Sequence, residues 1–97
     1  MRFLLAALLA ALPPWATAQG TAGRDLAASC AQCHGTQGRS VSTEVGALAG
    51  LPKEHIVSRM QAFKDGTRPA TVMHQLAKGY SDTQIDLIAG YFAAQRR

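Results

Sequence analysis

Only two of the 97 residues are cysteine, Cys30 and Cys33, and just two residues separate them. A disulfide there would close a trivial loop and remove little entropy from the unfolded chain, so no disulfide framework supports this fold. Long runs of one charge are missing too. Ten Lys and Arg stand against six Asp and Glu, scattered along the chain, with no aromatics interleaved among the basic residues. That pattern argues against a nucleic-acid-binding role. The chain also lacks internal repeats, low-complexity tracts beyond its N-terminus, and any convincing strand-like alternation. What is left is helical patterning.

The N-terminus reads as an export signal. Arg2 supplies a positive start, residues 3–12 are an unbroken apolar run, Pro13 and Pro14 interrupt it, and Ala16, Thr17 and Ala18 are small enough for cleavage. The run is too short to span a bilayer stably. The expectation is a signal peptide over residues 1–18, cleaved on export to the periplasm, with no membrane attachment afterwards. Removing 18 of 97 residues leaves 79, one domain over 19–97, without tryptophan because Trp15 falls in the signal. So small a domain is marginal unless a metal, cofactor or partner completes its core.

Three main helices are expected. The first covers residues 22–33, with Thr21 as N-cap and Ala22, Leu26 and Cys30 on one face at four-residue spacing. The second starts at Pro52, whose missing N–H suits a first helical turn. It buries Ile56, Val57, Met60 and Phe63 and stops at Gly66. The third opens on the capping box Ser81-Asp82-Thr83-Gln84, flanked by Tyr80 and Ile85 as a hydrophobic staple. Its apolar face holds Ile85, Leu87, Ile88, Ala89, Tyr91 and Phe92. The first and last helices are expected to cross, Ala22 and Leu26 meeting Ile88 and Tyr91 or Phe92, with the small Ala22 allowing close approach.

Cys30-Ala31-Gln32-Cys33-His34 carries the chemistry. Two thiols one helical turn apart can each add to a vinyl group of a haem, and the following histidine then lies beneath the iron as proximal ligand. Attachment after export agrees with the signal peptide, and a haem would supply the apolar plate that the small core needs. A thioredoxin-like dithiol would want a strand–helix–strand setting, which is absent. A zinc site would need His55 and His74 to join the cysteines in an unusual arrangement.

On these residues the chain resembles the class I cytochromes c of the short bacterial kind and, more narrowly, the cytochrome subunits of sulfide dehydrogenases, or flavocytochromes c. The resemblance runs through Cys30-Ala31-Gln32-Cys33-His34-Gly35, Leu48-Ala49-Gly50-Leu51-Pro52, the stretch from Ala62 to His74, and Lys78-Gly79-Tyr80-Ser81-Asp82. It implies an all-α fold of three main helices around one covalently attached haem c. It also places the second axial iron ligand at Met73, 39 residues after His34. Met60, on the Ile56–Phe63 stripe, is read as core packing. His74 cannot face the iron together with Met73, because adjacent helical side chains point about 100° apart; it is expected at the haem edge or the surface. His55 is read as a partly exposed helix residue.

In relatives a backbone carbonyl ahead of the Ala-Leu-Ala-Gly run is expected to accept the free ring N–H of the proximal histidine, a bond that fixes the ligand's orientation. Here Gly46 stands where proline is common, so the loop is less constrained. With no tryptophan to hold a haem propionate, Arg59, Arg68 and Lys78 are the candidates.

Two functions follow. In one, the chain is the non-catalytic haem subunit of a periplasmic sulfide dehydrogenase, taking electrons from an FAD-containing flavoprotein. In the other it is a free soluble carrier between respiratory complexes, serving other periplasmic redox proteins. The scattered charge offers no dipolar patch for steering several partners, which favours the first. Catalysis at the iron itself would need an open coordination position, and Met73 argues against one.

Overall fold

The computed structural model describes residues 14–97, with side chains from residue 21 onward. The apolar run at 3–12, and with it most of the signal-peptide reading, lies outside the described residues. The helices in order are α1 (Pro14–Ala27), α2 (Ala31–His34), α3 (Lys53–Asp65), α4 (Met73–Lys78) and α5 (Asp82–Ala93), with 3₁₀ turns at Ala28–Cys30 and Thr36–Gly38. Among the described residues there is no strand. The three long helices are the three expected, and the fold is all-α.

Local signals account for the start of α5 and the end of α3. The Ser81 hydroxyl accepts from the Gln84 amide at 3.1 Å, and the Gln84 side chain accepts from the Ser81 amide at 2.9 Å. Two otherwise orphaned donors of α5 are thereby satisfied. Gly66, at φ 76°, closes α3 with its amide donating to the Phe63 carbonyl at 3.3 Å.

Three boundaries differ from expectation. Thr21 does not cap the first helix: α1 starts seven residues earlier, at Pro14. No proline or glycine pair separates the two positions to stop the helix, and Pro14 itself suits a first turn. The first helix also does not continue regularly to Cys33. At Ala27, Cys30 and Ala31 the backbone stays right-handed with ψ between −15° and −27°, values of a 3₁₀ turn. Pro52 lies just outside α3, with ψ 137°, and its carbonyl accepts the His55 and Ile56 amides at 3.0 and 3.2 Å.

The core joins all the long helices. Ala27, Ile56, Met60, Ala77, Ile85, Ile88, Ala89 and Phe92 are buried in one cluster. Met60 is thus a packing residue. Leu26, Val57, Phe63 and Tyr91 pack against it from the margin. Helix α1 crosses α5, and α3 packs on both α4 and α5. The close approach of α1 to α5 includes Gly23, where a Cβ would sit 2.7 Å from the Leu87 carbonyl oxygen. Glycine inside a helix costs about 1 kcal/mol relative to alanine, and the crossing is what offsets it here.

Candidate haem site

The site is built on the shortest elements. Cys30 stands at the N-terminal end of α2, and Cys33 and His34 are its last residues. Positions i, i+3 and i+4 share one helical face, so both sulfurs and the imidazole belong to the same side of the turn. Neither cysteine is in a disulfide; Cys30 is half-buried and Cys33 exposed. Burial pushes the Cys30 thiol up, and the neighbouring Ser29 hydroxyl offsets part of that.

His34 is oriented by the main chain. Its Nδ1 lies 2.6 Å from the Gly46 carbonyl oxygen. A carbonyl can only accept, so Nδ1 carries the proton and Nε2 presents its lone pair. This is the tautomer a metal-binding imidazole needs. The expected acceptor is therefore present in the loop, although glycine replaces the stiffer residue. The loop is stitched in from both sides: the Gly38 carbonyl accepts the amides of Leu48 and Ala49 at 2.8 and 3.1 Å, and the Gly50 amide donates to the Phe92 carbonyl at 2.9 Å. Arg39 Nε adds a bond to the Arg96 carbonyl at 2.7 Å.

Met73 is the first residue of α4 and half-buried against the core. Ala77, one turn later on the same face, is fully buried, so Met73 belongs to the inward side of α4. Val72 and Leu76 occupy the outward side and are 55% and 52% exposed. His74 falls between these faces. It is half-buried, and its Nδ1 is buried with no hydrogen-bond partner among the described residues. His55 is exposed on α3. Among the described residues no group of three or more His, Cys, Asp or Glu is arranged to hold a metal ion.

These residues fit a haem. Cys30, Leu48, Phe63, Met73 and Tyr80 each pack against the core without being buried in it, apolar surface at the core border of the kind a flat apolar group covers. Arg68 lies over the Phe63 ring at 5.7 Å and brings a cation to that border.

No protein-family model matches the chain. Individual relatives do. The chain is 46% identical over 70 residues to the cytochrome subunit of sulfide dehydrogenase from Chlorobaculum tepidum, covering 72% of this chain and 63% of that protein. It is 37% identical to the thiosulfate dehydrogenase electron acceptor of Thiomonas intermedia, over 95% of this chain and 43% of that one. It is 35% identical to cytochrome c-554(548) of Halomonas halodenitrificans, over 76% of this chain and 93% of the relative. The chain belongs to the class I c-type cytochromes. As a member it is an electron-transfer protein, and the family implies haem c. The cytochrome spans less than two thirds of the sulfide and thiosulfate relatives. No helix among the described residues is long and apolar enough to cross a membrane.

Sequence patterning missed the parts of this site that depend on distant chain segments. The tight packing at Gly38 and the bonds from Tyr80 to Ser29 and from Lys64 to Tyr80 carry no local signature. Gly23 did carry one, since an isolated glycine inside a helical pattern calls for a packing reason.

Proposed function

We propose that this cytochrome carries one haem c, held by thioethers from Cys30 and Cys33, with His34 and Met73 as axial iron ligands. The His34–Gly46 bond carries this reading, because it fixes Nε2 as the free nitrogen directly after the cysteine pair. When bound, the haem supplies a reversible one-electron iron couple. The residues do the rest: Cys30 and Cys33 hold, His34 orients, the Met73 thioether favours the reduced iron, and the core margin excludes water. Haem colour that stays with the protein through acidic organic extraction supports the thioethers, and colour that extracts freely overturns them.

The cytochrome acts in the periplasm after removal of residues 1–18, leaving 19–97 as the working domain. It serves there as the haem subunit of a flavocytochrome c sulfide dehydrogenase, accepting electrons from an FAD-containing flavoprotein. The 46% identity to the Chlorobaculum subunit supports this. Permanent complexes bury large apolar areas and resist salt. Co-expressed with a flavoprotein of that type, the chain should co-purify at high salt and its haem should be reduced by sulfide. A second reading, a free soluble carrier, is favoured by the near-full coverage of cytochrome c-554(548). It takes over if the chain elutes alone and its reduction by partners slows steeply with ionic strength.

A further inference from the structure

Tyr80 sits where three segments meet. It lies between the end of α4 and the Ser81 cap of α5, and its amide donates to the Ala77 carbonyl at 3.2 Å. Its carbonyl accepts from Lys64 Nζ of α3 at 2.8 Å. Its phenol oxygen shares a hydrogen bond of 3.2 Å with Ser29 Oγ, 51 residues earlier in the chain. Ser29 stands beside Cys30 in the 3₁₀ turn that leads into α2. Helix α3 grips the same corner again, Gln61 Nε2 donating to Asp82 Oδ1 at 2.8 Å and Lys64 Nζ lying 3.8 Å from that oxygen.

Met73 heads a helix of six residues. So short a helix has little stability of its own, and its placement comes from tertiary tethers. The inward-facing Ala77 is one, and Tyr80, just past the helix end, is the next. We infer that Tyr80 is a positioning residue that latches the Cys30 turn to the helix bearing Met73 through its hydroxyl bond to Ser29. This inference rests on the assignment of Cys30 and Met73 to the haem. Anchoring the sulfur of Cys30 then also anchors the helix that delivers the Met73 sulfur. The ring alone, packed against the core, fixes depth; the hydroxyl fixes the angle.

The test follows the weak sulfur-to-iron charge-transfer band of the ferric, haem-loaded protein through a denaturant titration, with far-UV circular dichroism recorded in parallel. Tyr80→Phe keeps the ring and removes the hydroxyl, and Ser29→Ala removes its partner. Each should raise the population with Met73 off the iron about fivefold, the worth of one net hydrogen bond. The band should then disappear before the helices melt. Together the two substitutions should do no more than either alone, because they break the same bond. Ser29→Thr, which restores a hydroxyl, should behave as wild type. The latch is overturned if Tyr80→Phe leaves the band's titration unchanged, or if its effect adds fully to that of Ser29→Ala. Should Met73→Ala retain the wild-type band, the ligand assignment fails and takes the latch with it.

Discussion

Gly38→Ala tests how the loop beneath His34 is held. Gly38 has φ 78° and follows Gln37, which is itself left-handed at φ 56°. A Cβ at Gly38 would lie 2.7 Å from Phe92 Cδ1 and 3.0 Å from the Ala49 nitrogen. Neither neighbour gives way cheaply. The Phe92 side chain is 1% exposed, and the Ala49 amide is main chain already bonded to the Gly38 carbonyl at 3.1 Å. A left-handed conformation costs an L-residue roughly 1–2 kcal/mol, and overpacking a filled core costs about 1–3 kcal/mol more. The expected loss is therefore about 2–5 kcal/mol, a large share of the roughly 5–15 kcal/mol that stabilises a typical domain. Guanidinium unfolding of the haem-loaded protein, followed by circular dichroism, should show a lower midpoint with an unchanged slope. A variant within about 0.5 kcal/mol of wild type, the range of an ordinary surface change, would refute this account of Gly38.

Gly46→Ala should act in the opposite direction. A Cβ there meets nothing within 4 Å and φ is not left-handed, so restricting the unfolded chain should stabilise by about 0.4–1 kcal/mol; a lower thermal midpoint contradicts this. Met73→Ala should abolish the charge-transfer band and lower the reduction potential measured by redox titration. Met60→Leu should keep both and cost less than about 1.5 kcal/mol, since Met60 is a buried packing residue. Loss of the band in Met60→Leu would reverse the ligand assignment.

What could be read in the sequence was what lies close together along it. The Ser81–Gln84 capping box spans four residues, and the Cys30–His34 motif five. Each acts through one turn of helix, so the residue types and their spacing are sufficient. The apolar stripe of α5 was equally plain, and Ile85, Ile88, Ala89 and Phe92 are the residues it buries. The crossing of α1 and α5 was anticipated, but the part of Gly23 in it was not, because a side-chain stripe names a face without giving the depth of contact. Tyr80 was seen as a staple for α5, which is local, while its bond to Ser29 spans 51 residues and leaves no pattern. The 3₁₀ turn at Ala28–Cys30 is invisible for a related reason: the residues remain helical, and only the hydrogen-bond register tightens.

The acceptor on His34 is a main-chain carbonyl, and this decides which genetic changes the proximal side tolerates. No point substitution at residue 46 can delete that oxygen, so the imidazole is insulated from side-chain drift there. Insertions and deletions between residues 39 and 46 are another matter. Surface loops ordinarily absorb them at little thermodynamic cost. Here a single residue gained or lost would bring a different peptide unit to Nδ1 and turn the ring, altering the electronic donation of Nε2 while leaving the fold intact. The loop is thus permissive in composition and strict in length.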